Sequence, residues 1–348
     1  MSSADYTGSA EPQTRVSTEI TRSDSEIMNT LVLTRKDVEG VVTMELAVDA
    51  VERAFAAFGH GEASMPPKVY LSVADHHGDF RAMPARLGDS AGIKWVNVHP
   101  ENRKAFGLPT VMGVFVLNDA ANAFPLAIMD GTRLTALRTG AAGAVASKYL
   151  ASSGPGTIGF IGSGVQARTL HDAHRVIYES FEPLVHDRNQ SAATKLADEI
   201  GGRVVSLEEA AGADIVCTAT PSRSPFVEPQ WVRPGAHINA MGADAPGKQE
   251  LFTEVLKHAA VYIDDIHQAT GSGEINVPLS QGDFTVDEIA GTLGEVVAGA
   301  LPKPSAGTTT VFDSTGLAIQ DVALARAIYD TARNRGAGLE IDLVGETL

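Results

Sequence analysis

The first residues able to do chemistry together are Gly162-Ser163-Gly164-Val165-Gln166-Ala167, a G-x-G-x-x-A run that follows the apolar segment TIGFI and opens a helical pattern. A match of this kind is weak alone. A strand before it and a helix after it are the context in which such a turn holds a dinucleotide. Gly162 permits the tight turn, Gly164 lets the backbone approach a pyrophosphate, and Ala167 keeps the helix close to the strand. The phosphates then sit against free N–H groups at the helix start, around Val165 and Gln166, at the positive end of its dipole. The next strand ends at Asp187 in LVHDRN, near the spacing expected of an acid that binds a ribose 2′-hydroxyl, which favours NAD. Arg188 beside it can pair with a 2′-phosphate, so NADP stays as the alternative.

Four cations stand where charge is expensive. Lys68, Arg81, Lys94 and Arg138 all lie in or beside apolar strand and helix segments, where an unpaired positive charge is costly. Each alone reads as an ordinary salt bridge or a snorkelling side chain. Together, in an acidic chain with few lysines, they look like a site for an anionic group. Cys217, inside ADIVCTAT, reads as a small buried core residue. As the single cysteine it excludes an internal disulfide and a cysteine metal cluster. His171 and His174 stand three apart on the helix after the Gly turn, with no further ligand at helical spacing, so they read as a solvated face and no metal is expected. His76-His77 reads as part of a turn.

These residues need elements to position them. Residues 1–28 are rich in Ser, Thr, Asp and Glu without apolar period and read as a mobile extension. An amphipathic helix is expected over Met44–Phe58, with Gly59 ending it. Strands follow at KVYLSV, FRAMPA, GIKWVNV, TVMGVFVLND and FPLAIMD, a spacing that predicts a mainly antiparallel sheet. A small-residue helix is expected over Ala136–Leu150, closely packed against another backbone. From Thr157 the rhythm becomes strand and helix alternation through TIGFI, PLVHD, RVVS, ADIVCTAT, HINAMG, AVYIDD and TTVFDS. That alternation predicts a Rossmann-type doubly wound parallel sheet, because parallel strands require crossovers. The expected division is an α+β unit over 29–151, a dinucleotide-binding unit over 152–314, and a C-terminal helix in 315–348, Leu317–Arg333, returning to the first unit.

Composition bounds the partners. The net charge of -16 disfavours nucleic acid and anionic membranes. Only nine of 27 basic residues are lysine against 43 acidic residues, a balance that looks like the surface of a protein adapted to high salt. No apolar stretch reaches the length of a membrane helix and no basic-then-apolar leader opens the chain, so the expected location is cytoplasmic.

The segments MPPKVYL, FRAMPA, AGIKWVNVHPEN, GLPTVMGVFVLND, MDGTRLTALRTGAAGAVASKYLA, IGSGVQA, MGADAPGKQEL and FDSTGLAIQDVALA resemble the ornithine cyclodeaminase/mu-crystallin family, from about Leu31 to the last helix. The resemblance implies a substrate and dimerisation domain built from both chain ends, a nucleotide domain between them, and a homodimer. Within the family it is nearest to the archaeal-type alanine dehydrogenases. Ornithine cyclodeaminases carry a catalytic Glu in the strand before the KxVN motif, where this chain has Arg81. A cation cannot replace that carboxylate as an acid/base, but it can grip a substrate carboxylate.

The resemblance assigns Lys68, Arg81 and Lys94 to the substrate. It places Thr110 and Arg138 near the cofactor phosphates and nicotinamide, with Arg138 also in reach of the substrate carboxylate. Thr218, Lys248 and Ser314 join the cofactor side, and Asp244 matches the catalytic aspartate. Asp244 follows HINAMG, and open parallel sheets bind ligands beyond strand C-termini; without the motif it reads equally as a turn or cap residue. The implied reaction is NAD-dependent oxidative deamination of L-alanine to pyruvate and ammonia. Lys94 or Asp244 moves protons, with the pKa of Lys94 depressed by Lys68 and Arg81. The alternatives are reduction of a cyclic imino acid such as pyrroline-2-carboxylate, cyclodeamination of ornithine and, from a different class, a mu-crystallin-like protein that binds NADP and a ligand.

Overall fold

In the computed structural model the described residues are 29–152 and 154–345; the extension expected at 1–28 lies outside them. The first sheet takes β1 (Thr30–Leu33), β2 (Ala63–Ser64), β3 (Val69–Val73), β4 (Gly78–Leu87), β5 (Ser90–Val98), β6 (Val111–Asp119) and β7 (Pro125–Asp130). Strands β4 to β7 form an antiparallel run, with β2 and β3 both paired to β4. Strand β1 joins β7 in parallel. Side chains alternate across such a sheet, so Arg81, Met83 and Ala85 of β4 and Lys94 and Val96 of β5 are buried. The helix Ala318–Arg335 packs against β4 and β5. The same alternation leaves Ile93, Trp95 and Val114 exposed.

The second sheet is wholly parallel. It comprises β8 (Thr157–Ile161), β9 (Glu182–His186), β10 (Arg203–Val204), β11 (Ile215–Thr218), β12 (His237–Ala240), β13 (Ala260–Ile263), β14 (Ile289–Thr292) and β15 (Thr310–Asp313). Their spatial order is β10-β9-β8-β11-β12-β15-β13-β14. The chain starts at β8 and winds one way through β9 and β10, then returns to β11 on the other side. The switch point between β8 and β11 is where a Rossmann-type sheet opens its ligand crevice. The fold is thus α/β: a doubly wound parallel sheet with an α+β partner. No helix among the described residues is long and apolar enough to cross a membrane.

Among the strands that escaped the sequence reading are two that matter for the chain's course. Strand β14 is a four-residue segment containing Gly291 at φ 152°, and it pairs with β13 through a register shift. The last helix is followed by β16 (Leu339–Ile341), which pairs antiparallel with β1. The C-terminal segment is therefore helix and strand, not a helix alone. Strand β16 is three residues long and mostly exposed, so it lacks any apolar period.

The small-residue helix runs over Gly131–Leu150, five residues earlier than its composition suggested. Asp130, the last residue of β7, caps it by accepting from the Thr132 and Arg133 N–H groups. It lies against the helix Val165–Ile177 that opens at the Gly turn: a Cβ at Gly140 would sit 2.3 Å from the Thr169 carbonyl oxygen. A buried apolar cluster consequently runs from Leu31 and Phe115 through Leu134 to Phe160 and Leu170, across both sheets.

The expectation of a solvated face for His171 and His174 is overturned at His174, which is fully buried between these two helices. It bonds Ser147 Oγ at 2.8 Å and the Leu170 carbonyl at 2.7 Å. Asn239 bridges Ser147 to His237, which bonds Thr310. Burial pushes the His174 imidazole down to about 4 and that of His237 to about 3, so both tie helix to sheet as neutral rings. Cys217 lies in the same core, as expected, and burial pushes its thiol up to about 12.

Candidate active site

Gly162 follows β8 at φ 101°, and a side chain there would meet the Ala219 carbonyl oxygen at 2.7 Å. Only glycine fits this turn. Gly164 is the N-cap of the Val165–Ile177 helix and supplies no side-chain cap, so the first-turn N–H groups stay free for an anion. A Cβ at Gly164 would meet nothing within 4 Å. Arg168 braces the turn by donating to the Ser163 and Gly164 carbonyls, a role the sequence reading missed. Ala167 is buried against the core, Val165 is exposed, and Gln166 accepts from the Thr169 hydroxyl.

The turn opens onto a cleft of about 910 Å³ at the C-terminal ends of β8, β9 and β11, lined also by Asp187, Arg188, Asn189 and the loop Ala219–Phe226. Asp187 is held at the rim by two backbone donors, Ser163 N–H at 2.7 Å and Asn189 N–H at 2.8 Å. Arg188 and Arg223 flank it. A glycine turn without a cap, an uncapped helix start and an acid fixed at the end of the second strand fit a dinucleotide.

Of the other cofactor-side residues, Thr218 is tied to the loop beneath the cleft. It is fully buried at the end of β11, and its hydroxyl donates to Glu250 at 2.6 Å. Lys248 pairs with Asp244 and Arg138 joins the cation cluster described next. Ser314 is buried directly after β15, its N–H bonded to the Ala240 carbonyl. Thr110 lies half-buried ahead of β6, its carbonyl accepting from the His99 N–H.

The four expected cations do come together, and the protein supplies most of their anions. Lys94 is fully buried and donates to both oxygens of Asp321 at 2.8 and 2.7 Å. Arg138 Nε lies 3.2 Å from the same carboxylate, and its Nη1 donates to Gln320 Oε1. A Cβ at Gly316 would sit 2.4 Å from that Nη1, so glycine there lets the guanidinium in. Arg81 is gripped by Asp79 through Nε and Nη2 at 2.8 and 3.1 Å, and its Nη1 reaches Asp244 at 3.1 Å. Lys68 Nζ donates to the Thr315 carbonyl at 2.6 Å, and among the described residues no carboxylate forms a salt bridge with it.

Electrostatics divide the roles. Burial drives Lys94 down to about 7, with Arg138 and Lys68 adding to the push against the pull of Asp321. Arg81 is not among the causes, so the expected like-charge repulsion comes from a different pair. Burial also lowers Lys68, to about 8, with Asp264 as the main opposing charge. At Asp244 burial acts upward, but Lys248 and Arg81 outweigh it and hold the carboxyl at about 2.

The residues invisible from sequence are the acids beneath these loops. Asp321 stands 227 positions from Lys94, in the last helix. Glu250 takes four bonds, from the Thr218 and Thr220 hydroxyls and the Thr220 and Gly242 N–H groups. It thereby fixes the loop carrying Asp244 to the loop lining the nucleotide cleft.

The model of the ornithine cyclodeaminase/mu-crystallin family matches residues 28–336. The chain belongs to that family. It is 48% identical over 320 residues to an alanine dehydrogenase of Archaeoglobus fulgidus, covering 90% of this chain and 98% of that one. The structure of an archaeal alanine dehydrogenase dimer with bound NAD superposes with a TM-score of 0.87 at 47% identity, over 90% of this chain and 99% of that one. A Thermococcus litoralis Δ1-pyrroline-2-carboxylate reductase in complex with NADH and L-proline gives 0.85 at 35% identity, over 90% and 100%. Among the family's members these are oxidoreductases of amino and imino acids.

Replacing Asp321 by Asn leaves Lys94 and Arg138 buried without an anion. Unfolding in urea is expected to show a loss of about 3 kcal/mol or more. The loss should be larger at pH 6 than at pH 9, because Lys94 can shed its proton and Arg138 cannot. Wild-type stability at both pH values would mean that this ion pair does not form.

Proposed function

We propose that this protein is an NAD-dependent amino acid dehydrogenase that interconverts L-alanine with pyruvate and ammonia. The observation that carries the reading is the pairing of an arginine, Arg81, with Asp244 at 3.1 Å, with Lys68 close enough to feel both charges. The likeness to the Archaeoglobus fulgidus enzyme supports the choice of alanine, and bound NAD in the similar archaeal structure supports NAD. Asp187, held by two backbone donors, suits a ribose hydroxyl.

NAD, when bound, takes up the hydride lost from the substrate α-carbon. The chain's own residues do the rest. Asp79 locks the Arg81 fork from one side; Nη1, which bonds Asp244, is the donor that a substrate carboxylate would share, where charge-assisted bonds are strong. Lys68, bonded only to a peptide carbonyl, supplies the second positive charge. Asp244, held at about 2, stays ionised and accepts a bond from the amine, which favours the iminium as it forms. Lys94, at about 7, is the group matched to proton transfer at neutral pH: neutral, it takes a proton as water attacks, and Asp321 steadies the resulting ammonium.

A cyclic imino acid reductase is the second reading, supported by the Thermococcus litoralis relative that binds L-proline. Cyclodeamination is disfavoured by a cation at position 81.

We further propose a homodimer through the outer face of the first sheet. Val69, Leu71, Trp95 and Val114 are 63%, 55%, 44% and 47% exposed there, a contiguous apolar face of the kind that marks an interface. The similar archaeal dehydrogenase is a dimer.

Purified protein at high salt is expected to oxidise NADH only when pyruvate and ammonia are both present. Turnover of pyrroline-2-carboxylate without ammonia, and none of pyruvate, would establish the second reading instead. Lys94→Met should lower kcat by roughly 10²–10⁴-fold while leaving NADH affinity near wild type; normal turnover would remove Lys94 from the mechanism. Trp95→Glu should convert the dimer to monomer in sedimentation velocity, and a dimer of unchanged stability would place the interface elsewhere.

A further inference from the structure

We propose that Asp264, at the end of β13, keeps Lys68 charged and in position to receive the carboxylate of the substrate. This rests on the reading of Lys68 as a substrate anchor.

Asp264 is fully buried, and no cation forms a salt bridge with it among the described residues. Its Oδ2 accepts from the Thr315 and Gly316 N–H groups, both at 2.7 Å, and its Oδ1 accepts from the Thr315 hydroxyl at 2.8 Å and the Asp265 N–H at 2.9 Å. Three of these four bonds fix the turn after β15. Thr315 is the bridge: its N–H and hydroxyl go to the carboxylate, and its carbonyl takes the Lys68 ammonium at 2.6 Å. The same turn presents Gly316 to Arg138. One buried acid therefore sets where two of the four cations stand.

The charge argument runs in the same direction. Burial works against the ammonium of Lys68, and Arg138 and Arg81 add to that; Asp264 is the foremost group opposing it, ahead of Asp244. Lys94 also faces Lys68 from β5. Lys68 in turn draws the Asp264 carboxyl back toward ionisation against burial. Asp313, at the end of the neighbouring β15, faces Asp264 and is itself pushed up to about 7 by burial, with Asp264 contributing. A neutral residue at 264 would leave Lys68 with Arg138, Arg81 and Lys94 around it and Asp244 as the weaker support.

The test reads Lys68 directly. Acetic anhydride labelling of the intact protein, quantified for the Lys68 peptide by mass spectrometry between pH 6 and 9, gives the titration midpoint of its amine. Asp264→Asn keeps a carbonyl oxygen toward Thr315 and Gly316. It should lower the midpoint by a unit or more, which is roughly tenfold more neutral amine at pH 6. In the same variant KM for pyruvate should rise about tenfold at pH 7.5 and more than kcat falls. Thr315→Val removes the hydroxyl bond without removing charge and should leave the midpoint near wild type, and Asp264→Glu should restore much of it.

An unmoved midpoint in a folded Asp264→Asn variant overturns the proposal. If that variant does not fold, a midpoint in Thr315→Val shifted as far as a unit overturns it, because charge would then not be the cause. A lowered midpoint with an unchanged KM for pyruvate upholds the action of Asp264 on Lys68 and overturns Lys68 as the carboxylate anchor, which separates this inference from the functional reading beneath it.

Discussion

A single carboxylate, Asp321, is shared by two buried cations, and the arrangement around it depends on that sharing. Lys94 comes from β5, Arg138 from the helix Gly131–Leu150, and Asp321 from the last helix. None of the three could be buried alone, because each would carry an uncompensated charge into a low-dielectric interior. Their meeting explains why the chain end folds back over the antiparallel sheet. The Lys68–Thr315 and Arg81–Asp244 bonds then tie that sheet to loops that follow β15 and β12 of the parallel one. Two cations sharing one anion leave a surplus of positive charge, and that surplus suits a carboxylate-bearing substrate.

The same surplus separates two groups that seemed interchangeable from their residue types. Lys94 and Asp244 are both buried or half-buried and both close to opposite charge. Lys94 faces more positive than negative neighbours, so burial carries its amine into the neutral range. Asp244 faces Lys248 and Arg81, and two cations overcome burial. One group is therefore ready to exchange protons near neutral pH and the other is a fixed negative charge. Beneath them, Glu250 and Asp264 hold the loops around these groups through their bonds to Thr218, Thr220, Gly242, Thr315 and Gly316.

The sequence made the glycine turn legible because its constraints are local: a positive φ at Gly162, an open approach at Gly164, a strand before and a helix after. The antiparallel strands were legible for a similar reason, since alternation of Lys94 and Val96 against Ile93 and Trp95 is a two-residue period. The cations stood out because charge inside an apolar run is conspicuous. Their partners did not, because an acid such as Asp321 in an amphipathic helix looks the same whether it meets water or a lysine from a distant strand. The burial of His174 was hidden in the same way, since Ser147, Asn239 and His237 come from three other elements. Strands β14 and β16 were too short to show a period at all.

The account rests on Lys94 acting as a proton acceptor poised near neutrality by burial, and the pH dependence of alanine oxidation at saturating NAD examines that most directly. The predicted profile of kcat/KM rises with pH through an inflection near 7, the range to which Lys94 is displaced, because the amine must be neutral to take a proton. A rate that is level from pH 6 to pH 8, or one that falls as pH rises through 7, would contradict it.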